Sequence, residues 1–208
     1  MDAEKIVVYD RANSFSTVQD GPGFRCNDLV VRHGGSIYAT KPGWDGKSPS
    51  EVIYISPDGG KKVVDSGLNF ANGVTVSPDQ TLLYVSDRST HWVYSYQIQP
   101  DGSLTHKQKY YHLHVPDTAE DSRADGMRCD QNGRLWVATN MGLQIGDQAG
   151  RVNCIIPTPN GKCSNLSFGG PKFDTVYATC GEKVYARKVK VVGANAWQAP
   201  IKPAGPKL

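Results

Sequence analysis

The feature that most constrains the fold is a short segment that occurs four times along the chain. Each copy opens with Asn or Asp, enters a predicted strand, turns on Gly, Pro, Asp or Asn, and closes on apolar and aromatic residues. The copies begin at Asn27, Asn72, Asp125 and Asn165, so their first residues lie 45, 53 and 40 residues apart. Repeats of roughly 40–50 residues built from short strands are typical of propeller blades. The sequence therefore predicts an all-β propeller.

The repeat predicts about four and a half blades in a single domain of 208 residues. Turn residues such as Pro57-Asp58-Gly59-Gly60 separate runs of alternating apolar residues, and no helical period interrupts them. The predicted blades are 27–66, 72–114, 125–157 and 165–192.

The two ends of the chain differ from these blades. Lys5–Asp10 and Ser14–Gln19 are predicted to pair as the outer strands of an incomplete blade within residues 1–20. Lys183–Arg187 and Lys188–Val192 are the predicted outer strands of the fourth blade. Residues 193–208, rich in proline, are predicted to form a strap across the surface that is anchored by Trp197.

Composition excludes several classes of function. The net charge is +3 without a block of like charges, and no basic stripe with interleaved aromatics suggests nucleic-acid binding. No apolar run reaches the roughly 20 residues of a membrane span. The chain shows no signal segment, so a cytoplasmic and a periplasmic or secreted location both stay open. The five cysteines lack a CxxC motif, and they are either all reduced or include a bridge between Cys154 and Cys163.

The opening residues of three copies are candidates for a shared site. Asn27, Asn72 and Asp125 each start the innermost strand of a predicted blade, so they are expected to converge at one axial mouth. Carboxylate and amide oxygens suit Ca²⁺, Mg²⁺ or Mn²⁺. Asn and Asp also cap turns at the starts of strands, and the pattern alone leaves both interpretations open.

Three motifs in register resemble a known family. Arg25-Cys26-Asn27-Asp28, Ala71-Asn72-Gly73 and Ala124-Asp125-Gly126-Met127 are similar in order and spacing to those of the gluconolactonase, senescence marker protein (regucalcin) and luciferin-regenerating enzyme family. The resemblance extends from Lys5 to about Val192. It implies a six-bladed propeller with one divalent metal in its central cavity, and the best-known members hydrolyse sugar lactones.

The resemblance also implies roles for individual residues. Asn72 and Asp125 would be metal ligands, with Ca²⁺ as the expected ion and Zn²⁺, Mn²⁺ or Mg²⁺ as alternatives. Arg25 and Asn27 would bind the substrate. A divalent ion polarises the ester carbonyl of a lactone and activates water, and Asp125 could take the proton as the catalytic base. The expected function is metal-dependent hydrolysis of a sugar lactone in the central cavity.

One family motif has no counterpart in this chain. The first blade of the family carries a Glu ligand in a Glu-Gly-Pro type motif, whereas Asp20-Gly21-Pro22 lies directly before Arg25. The chain is therefore expected to lack the N-terminal blade and a half, on the order of 80–100 residues. It would be a lactonase once that part is supplied, by a second chain or in a homodimer that covers the open propeller edge. The alternative is a non-catalytic fragment that binds a sugar, a metal or a protein partner.

Three further features are weaker candidates. Asp87 ends a predicted strand and could reach the cavity. His112 and His114 alternate on an outer strand, where packing explains them better than metal binding. The loop from Lys41 to Ser50, with Trp44, is either a lid over the mouth or an ordinary surface loop.

Overall fold

The computed structural model describes residues 4–206, and every regular element in that range is a β-strand. The prediction of an all-β propeller is confirmed. No helix in this range is long and apolar enough to span a membrane. The strands are β1 (Lys5–Tyr9), β2 (Phe15–Asp20), β3 (Leu29–Val31), β4 (Ile37–Lys41), β5 (Ser50–Ile55), β6 (Lys61–Leu68), β7 (Ala71–Val76), β8 (Leu82–Asp87), β9 (Trp92–Ile98), β10 (Leu104–His112), β11 (Met127–Cys129), β12 (Leu135–Thr139), β13 (Gly142–Gly146), β14 (Val152–Ile156), β15 (Asn165–Gly169), β16 (Thr175–Cys180) and β17 (Lys183–Lys188).

These strands form antiparallel sheets whose members follow each other in the sequence. Blade 1 is β3–β6, blade 2 is β7–β10, blade 3 is β11–β14 and blade 4 is β15–β17. The strands β1 and β2 pair as a separate hairpin. Each blade therefore closes through short local turns, and the first strand of one blade lies beside the first strand of the next.

Apolar cores lie between neighbouring blades. The core between blades 1 and 2 includes Tyr38, Val74 and Tyr96, all fully or almost fully buried. Similar clusters join blade 2 to blade 3 and blade 3 to blade 4. The β1–β2 hairpin packs through Ile6 on the outer face of blade 1. The burial of apolar side chains between neighbouring blades, rather than within any single sheet, thus stabilises the row of blades.

Neighbouring blades are joined near the axis by hydrogen bonds that cross from one blade to the next. The Thr40 hydroxyl donates to the Asn72 carbonyl at 2.5 Å, and the Ser86 hydroxyl donates to the Asp125 carbonyl at 3.3 Å. The Gly126 N–H donates to the Ser164 carbonyl at 2.9 Å. Thr40 and Ser86 are fully buried, so these hydroxyls satisfy carbonyls that water does not reach.

This close approach requires glycine. A Cβ atom at Gly73 would collide with the Asp125 carbonyl oxygen, and one at Gly126 would collide with the Asn165 side-chain amide. The Asn-Gly and Asp-Gly pairs of the sequence repeat are therefore explained by packing between blades. They place the polar residue of each pair at the axis and leave room for the next blade.

The fourth repeat differs by one residue from the alignment that the sequence suggests. Asn27 and Asp125 donate their N–H groups to Thr40 and Ala138, and Ser164 makes the same bond to Thr179. Ser164, not Asn165, therefore occupies the axial position of blade 4. Because Asn165 resembles the opening residues of the other repeats, the predicted start of the fourth repeat was one residue too far along the chain.

Blade 4 also has three strands, so the prediction of an outer strand over 188–192 is wrong. After Lys188 the chain turns back, and its backbone bonds to other partners. Val189 donates to the Asp174 carbonyl, and the Val192 carbonyl accepts from Gln131. Gly193 forms an isolated bridge to Asp130 on blade 3. These bonds draw the segment away from the edge of β17.

The strap over residues 193–206 contains no strand and crosses the turn ends of the blades. The strap is held through its backbone. The Gln80 amide donates to the carbonyls of Ala196 and Gln198, and the N–H of Ile201 donates to the carbonyl of Pro78. Trp197 is 61% exposed, so the prediction that it anchors the strap is wrong. Residues 207–208 of the predicted strap lie outside the described residues, as do residues 1–3 of the incomplete blade.

All five cysteines lie in the described range and are free thiols. Cys154 is exposed while Cys163 is buried, so the bridge left open from the sequence does not form. Cys163 instead packs in the same core cluster as Cys180.

Gly73→Ala is expected to destabilise the protein by about 1–3 kcal/mol, because the added methyl group must push two blades apart. Gly34→Ala is the matched control, since a Cβ there meets nothing within 4 Å. Urea or thermal unfolding of both variants measures the difference. Equal stability of the two variants would contradict the tight approach at Gly73.

Candidate active site

Asn72 and Asp125 lie side by side where the first strands of blades 2 and 3 meet. A β-bulge between Ala71 and Val74 displaces Asn72 from the regular ladder. Its amide nitrogen donates to the Ala124 carbonyl at 2.9 Å, and its side chain is almost fully buried. The bulge and this bond turn the Asn72 amide toward blade 3, beside the carboxylate of Asp125.

Asp28 supports this arrangement from blade 1. One oxygen of its carboxylate accepts from the Val74 N–H at 3.0 Å, and the other accepts from the Leu29 N–H at 2.8 Å. The bond to Val74 fixes the strand just after the Asn72 bulge. Asp28 was not among the residues predicted from the sequence for this site. It occupies the position that Gly73 and Gly126 take in the next two blades. An Asp where the repeat otherwise has Gly is the sequence feature that could have identified it.

The Asp125 carboxylate is electrostatically unusual. Burial raises its pKa to about 6, the negative charge of Asp28 adds to the rise, and the Arg88 guanidinium opposes it. A half-buried carboxylate next to a second one creates a negative potential at the axis. Near pH 7 Asp125 is largely ionised and still basic enough to accept a proton.

The predicted substrate-binding residues lie at the rim of this site rather than inside it. Asn27 is exposed and holds the axial position of blade 1, and within residues 4–206 no side-chain hydrogen bond joins it to Asn72 or Asp125. Arg25 is also exposed and lies over the ring of Trp44, with 5.5 Å between its Cζ atom and the ring centroid. The structure thus brings Asn72 and Asp125 into contact and leaves Asn27 and Arg25 open to solvent.

The weaker candidates have structural roles. The buried carboxylate of Asp87 accepts from the N–H groups of Asn69 and Phe70 at 2.9 and 3.0 Å, so it fixes the turn before β7. His112 stacks on His91 with ring centroids 5.1 Å apart, on the outer strand β10. These contacts support a packing role for His112 rather than a role in metal binding.

The axial donors fit an oxygen-preferring divalent cation. Asn72 contributes an amide oxygen and Asp125 a carboxylate, and the raised pKa of Asp125 reflects its burial and the nearby negative charge of Asp28. Such ions take six or more oxygen ligands, so water and substrate would supply part of the shell. Residues 4–206 contain no group of three or more His, Cys, Asp or Glu side chains placed to hold a metal ion.

The sequence of this chain is similar to that of known lactonases. Residues 3–182 match the sequence profile of the family described as "SMP-30/Gluconolactonase/LRE-like region". A gluconolactonase of Zymomonas mobilis is 29% identical over 182 residues, which cover 80% of this chain and 51% of the relative. A pentonolactonase of Haloferax volcanii is 25% identical over 187 residues, which cover 84% of this chain and 59% of the relative. The chain thus spans little more than half the length of these curated relatives.

Solved structures show the same fold. A calcium-binding protein, regucalcin, from Agrobacterium tumefaciens superposes with a TM-score of 0.79 at 15% identity. The match covers 93% of this chain and 74% of that structure. At this level of identity the similarity concerns the propeller alone.

The raised pKa of Asp125 leads to a prediction for the metal-free protein. The folded state holds this proton up to about pH 6, whereas the unfolded chain releases it near its ordinary pKa of about 4. The folded state therefore loses stability as the pH rises through this window. Asp125→Asn removes the titrating charge, so in a chelator it is expected to melt above the wild type at pH 7 and to lose that advantage at pH 4.

Asp87→Asn is the matched control. Its carboxylate accepts backbone N–H groups, so its replacement should lower the melting temperature at pH 7. A chelated Asp125→Asn variant that melts below the wild type at pH 7 would contradict the electrostatic description of the axis.

Proposed function

The chain belongs to the SMP-30/gluconolactonase/LRE-like family, and we propose that it hydrolyses a sugar lactone at the axial site. The observation that carries the proposal is the pairing of Asn72 with a half-buried Asp125 whose pKa is raised to about 6. The lactonase relatives support this class of substrate. Because the chain spans about half of their length, the activity of the whole protein is part of the proposal.

Asn72 and Asp125 would hold a divalent cation, which regucalcin relatives support and for which Ca²⁺ is the favoured ion. When bound, such an ion supplies Lewis acidity at the carbonyl oxygen of the lactone and makes nearby water more acidic. The Asn72 bulge, fixed by Thr40 and Asp28, keeps both donors in place before substrate arrives. Donors that are already oriented avoid a reorganisation cost during the reaction.

Asp125 acts as the general base of the hydrolysis. Its carboxylate accepts a proton from the water that attacks the ester carbonyl. The acyl C–O bond of the ring then breaks, and the ring oxygen takes up a proton to become a hydroxyl group. The product is an open-chain hydroxy acid.

Arg25 and Asn27 bind the substrate from the rim. Both are exposed at the start of blade 1, and Asn27 occupies the same position in its blade as Asn72 and Asp125 do in theirs. A guanidinium and an amide offer several donors to sugar hydroxyls and to the lactone carbonyl. These contacts would orient the ring above the axial carboxylate.

Proton release from glucono-1,5-lactone at pH 7, with Ca²⁺ or Mn²⁺ present, tests the proposal. We expect Asp125→Ala to lower kcat/KM by about 10²-fold or more, because general-base catalysis contributes about 10²–10⁴-fold. Asn72→Ala should raise the metal concentration needed for half-maximal rate.

Asp174→Ala is the control, since its carboxylate faces Lys188 at 3.6 Å on the outer strand of blade 4. Its rate should match the wild type. A wild type that does not exceed uncatalysed hydrolysis would favour the non-catalytic binding alternative, and full activity of Asp125→Ala would remove Asp125 from the mechanism.

A further inference from the structure

The rim of the axial site carries an excess of cationic side chains. The rim position lies two residues before each axial residue, and it is occupied by Arg25 in blade 1 and Phe70 in blade 2. Arg123 and Lys162 take the corresponding positions before Asp125 and Ser164. Three of four rim positions are therefore basic.

Arg88 supplies a further cation where the rim residue is Phe70. Its Cζ atom lies 5.6 Å from the centroid of the Phe70 ring, and its backbone N–H donates to the Phe70 backbone carbonyl at 3.0 Å. Arg88 therefore lies beside the rim position of blade 2.

Arg25 and Arg88 lie at the two ends of one aromatic stack. Trp44 packs edge-on against Phe70, with ring centroids 5.6 Å apart and planes at 88°. Arg25 lies over the ring of Trp44, whose indole N–H donates to the Arg25 carbonyl at 2.9 Å. Cation–π contacts orient guanidinium groups while leaving their N–H donors free for a ligand.

Internal hydrogen bonds brace the loop that carries Trp44. The Asp45 carboxylate accepts from the N–H groups of Lys47 and Ser48 at 2.9 and 2.7 Å, and a Cβ at Gly43 would collide with the Ser48 carbonyl. These bonds lower the pKa of Asp45 to about 2, so the loop keeps this form across the working pH range. Trp44 is 47% exposed in this position. The braced loop thus presents the aromatic face of Trp44 at the rim.

The acidic groups of the rim do not neutralise these two arginines. Within residues 4–206 neither Arg25 nor Arg88 forms a salt bridge, whereas Arg123 faces Asp121 at 3.8 Å. Lys41 is paired with Glu51 at 3.0 Å. Asp117 and Glu120 lie exposed on the same segment as Asp121. Within the described residues Arg25, Arg88 and Lys162 are therefore the rim cations without an acidic partner, and Arg25 and Arg88 are the two that share the aromatic stack.

We propose that the lactone bound here carries an anionic substituent, a phosphate ester or a carboxylate, which the Arg25 and Arg88 guanidinium groups bind. This inference rests on the proposed lactone hydrolysis and defines the class of its substrate. The exposed face of Trp44 would pack against the sugar ring between the anionic group and the reacting carbonyl. Guanidinium groups form charge-assisted, bidentate hydrogen bonds with phosphate and carboxylate.

Calorimetric titration of the full chain with three stable open-chain probes tests this inference. Gluconate has one carboxylate, glucarate has two, and 6-phosphogluconate has a carboxylate and a phosphate. We expect at least one of the two more highly charged probes to bind about 10-fold more tightly than gluconate, which corresponds to about 1.4 kcal/mol. The probe that gains identifies the anionic group as carboxylate or phosphate.

Arg88→Gln is expected to reduce this preference to about threefold or less, and Arg25→Gln should reduce it independently. Arg88→Lys keeps the charge and is expected to retain part of the preference, which separates loss of charge from loss of folding. Arg187→Gln is the matched control, because Arg187 is exposed on the outer strand of blade 4 and should leave all affinities unchanged.

Equal affinity for the three probes overturns the inference, as does a preference that survives both Arg25→Gln and Arg88→Gln. The binding measurement needs no turnover, so its outcome is independent of the lactonase assay. Hydrolysis of glucono-1,5-lactone without any preference for the more highly charged probes would support the proposed lactonase function and reject the anion site. Tight, Arg88-dependent binding without hydrolysis of any lactone would preserve the anion site and remove the hydrolysis.

Discussion

The close approach of the first strands at the propeller axis is the constraint on which the rest of the structure depends. Buried hydroxyls of Thr40 and Ser86 donate to the carbonyls of Asn72 and Asp125 in the next blade. Gly73 provides the space for this contact. Because the residues that join the blades flank the residues of the site, packing and function share one short segment per blade. A change in the spacing of blades would therefore also displace the axial donors.

The electrostatics of the site follow from the same packing. Asp28 is held by backbone N–H groups from two blades, which places a second carboxylate close to Asp125. The resulting negative axis is surrounded by a rim with Arg25 and Arg88 held on an aromatic stack. A cation at the centre and an anionic substituent at the edge would each meet a complementary charge. This arrangement of charge suits a substrate whose reacting carbonyl and anionic group lie apart.

Much of the fold could be predicted from the sequence, because alternating strands and Asn-Gly or Asp-Gly pairs recur with a regular spacing. The pairing of Asn72 with Asp125 could be predicted for the same reason, since both open their blades. The position of Ser164 could not, because Asn165 imitates the repeat and only the backbone hydrogen bonds show the shift. Arg88 lies outside the repeated motif, and its role depends on the contact with Phe70 that the tertiary structure creates.

The path of the C-terminal strap could not be predicted from its side chains, for a different reason. A lone tryptophan in a proline-rich tail suggests an anchor, yet the backbone carbonyls of Ala196 and Gln198 hold the tail through Gln80. Likewise, Lys188 to Val192 alternates like a strand but bonds to turns in blades 3 and 4. In both segments competition for backbone partners determines the path, and side-chain patterns do not encode it.

Asn72 and Asp125 are proposed to form one cation site at the axis. Calorimetric titration of the metal-free protein with Ca²⁺ and with Mn²⁺ at pH 7 tests whether they do. We expect a single site per chain in the wild type and its loss in an Asn72→Ala, Asp125→Ala double variant that remains folded. Binding of either ion with unchanged affinity and stoichiometry in that variant would exclude this cation site, as would a folded wild type that binds neither ion.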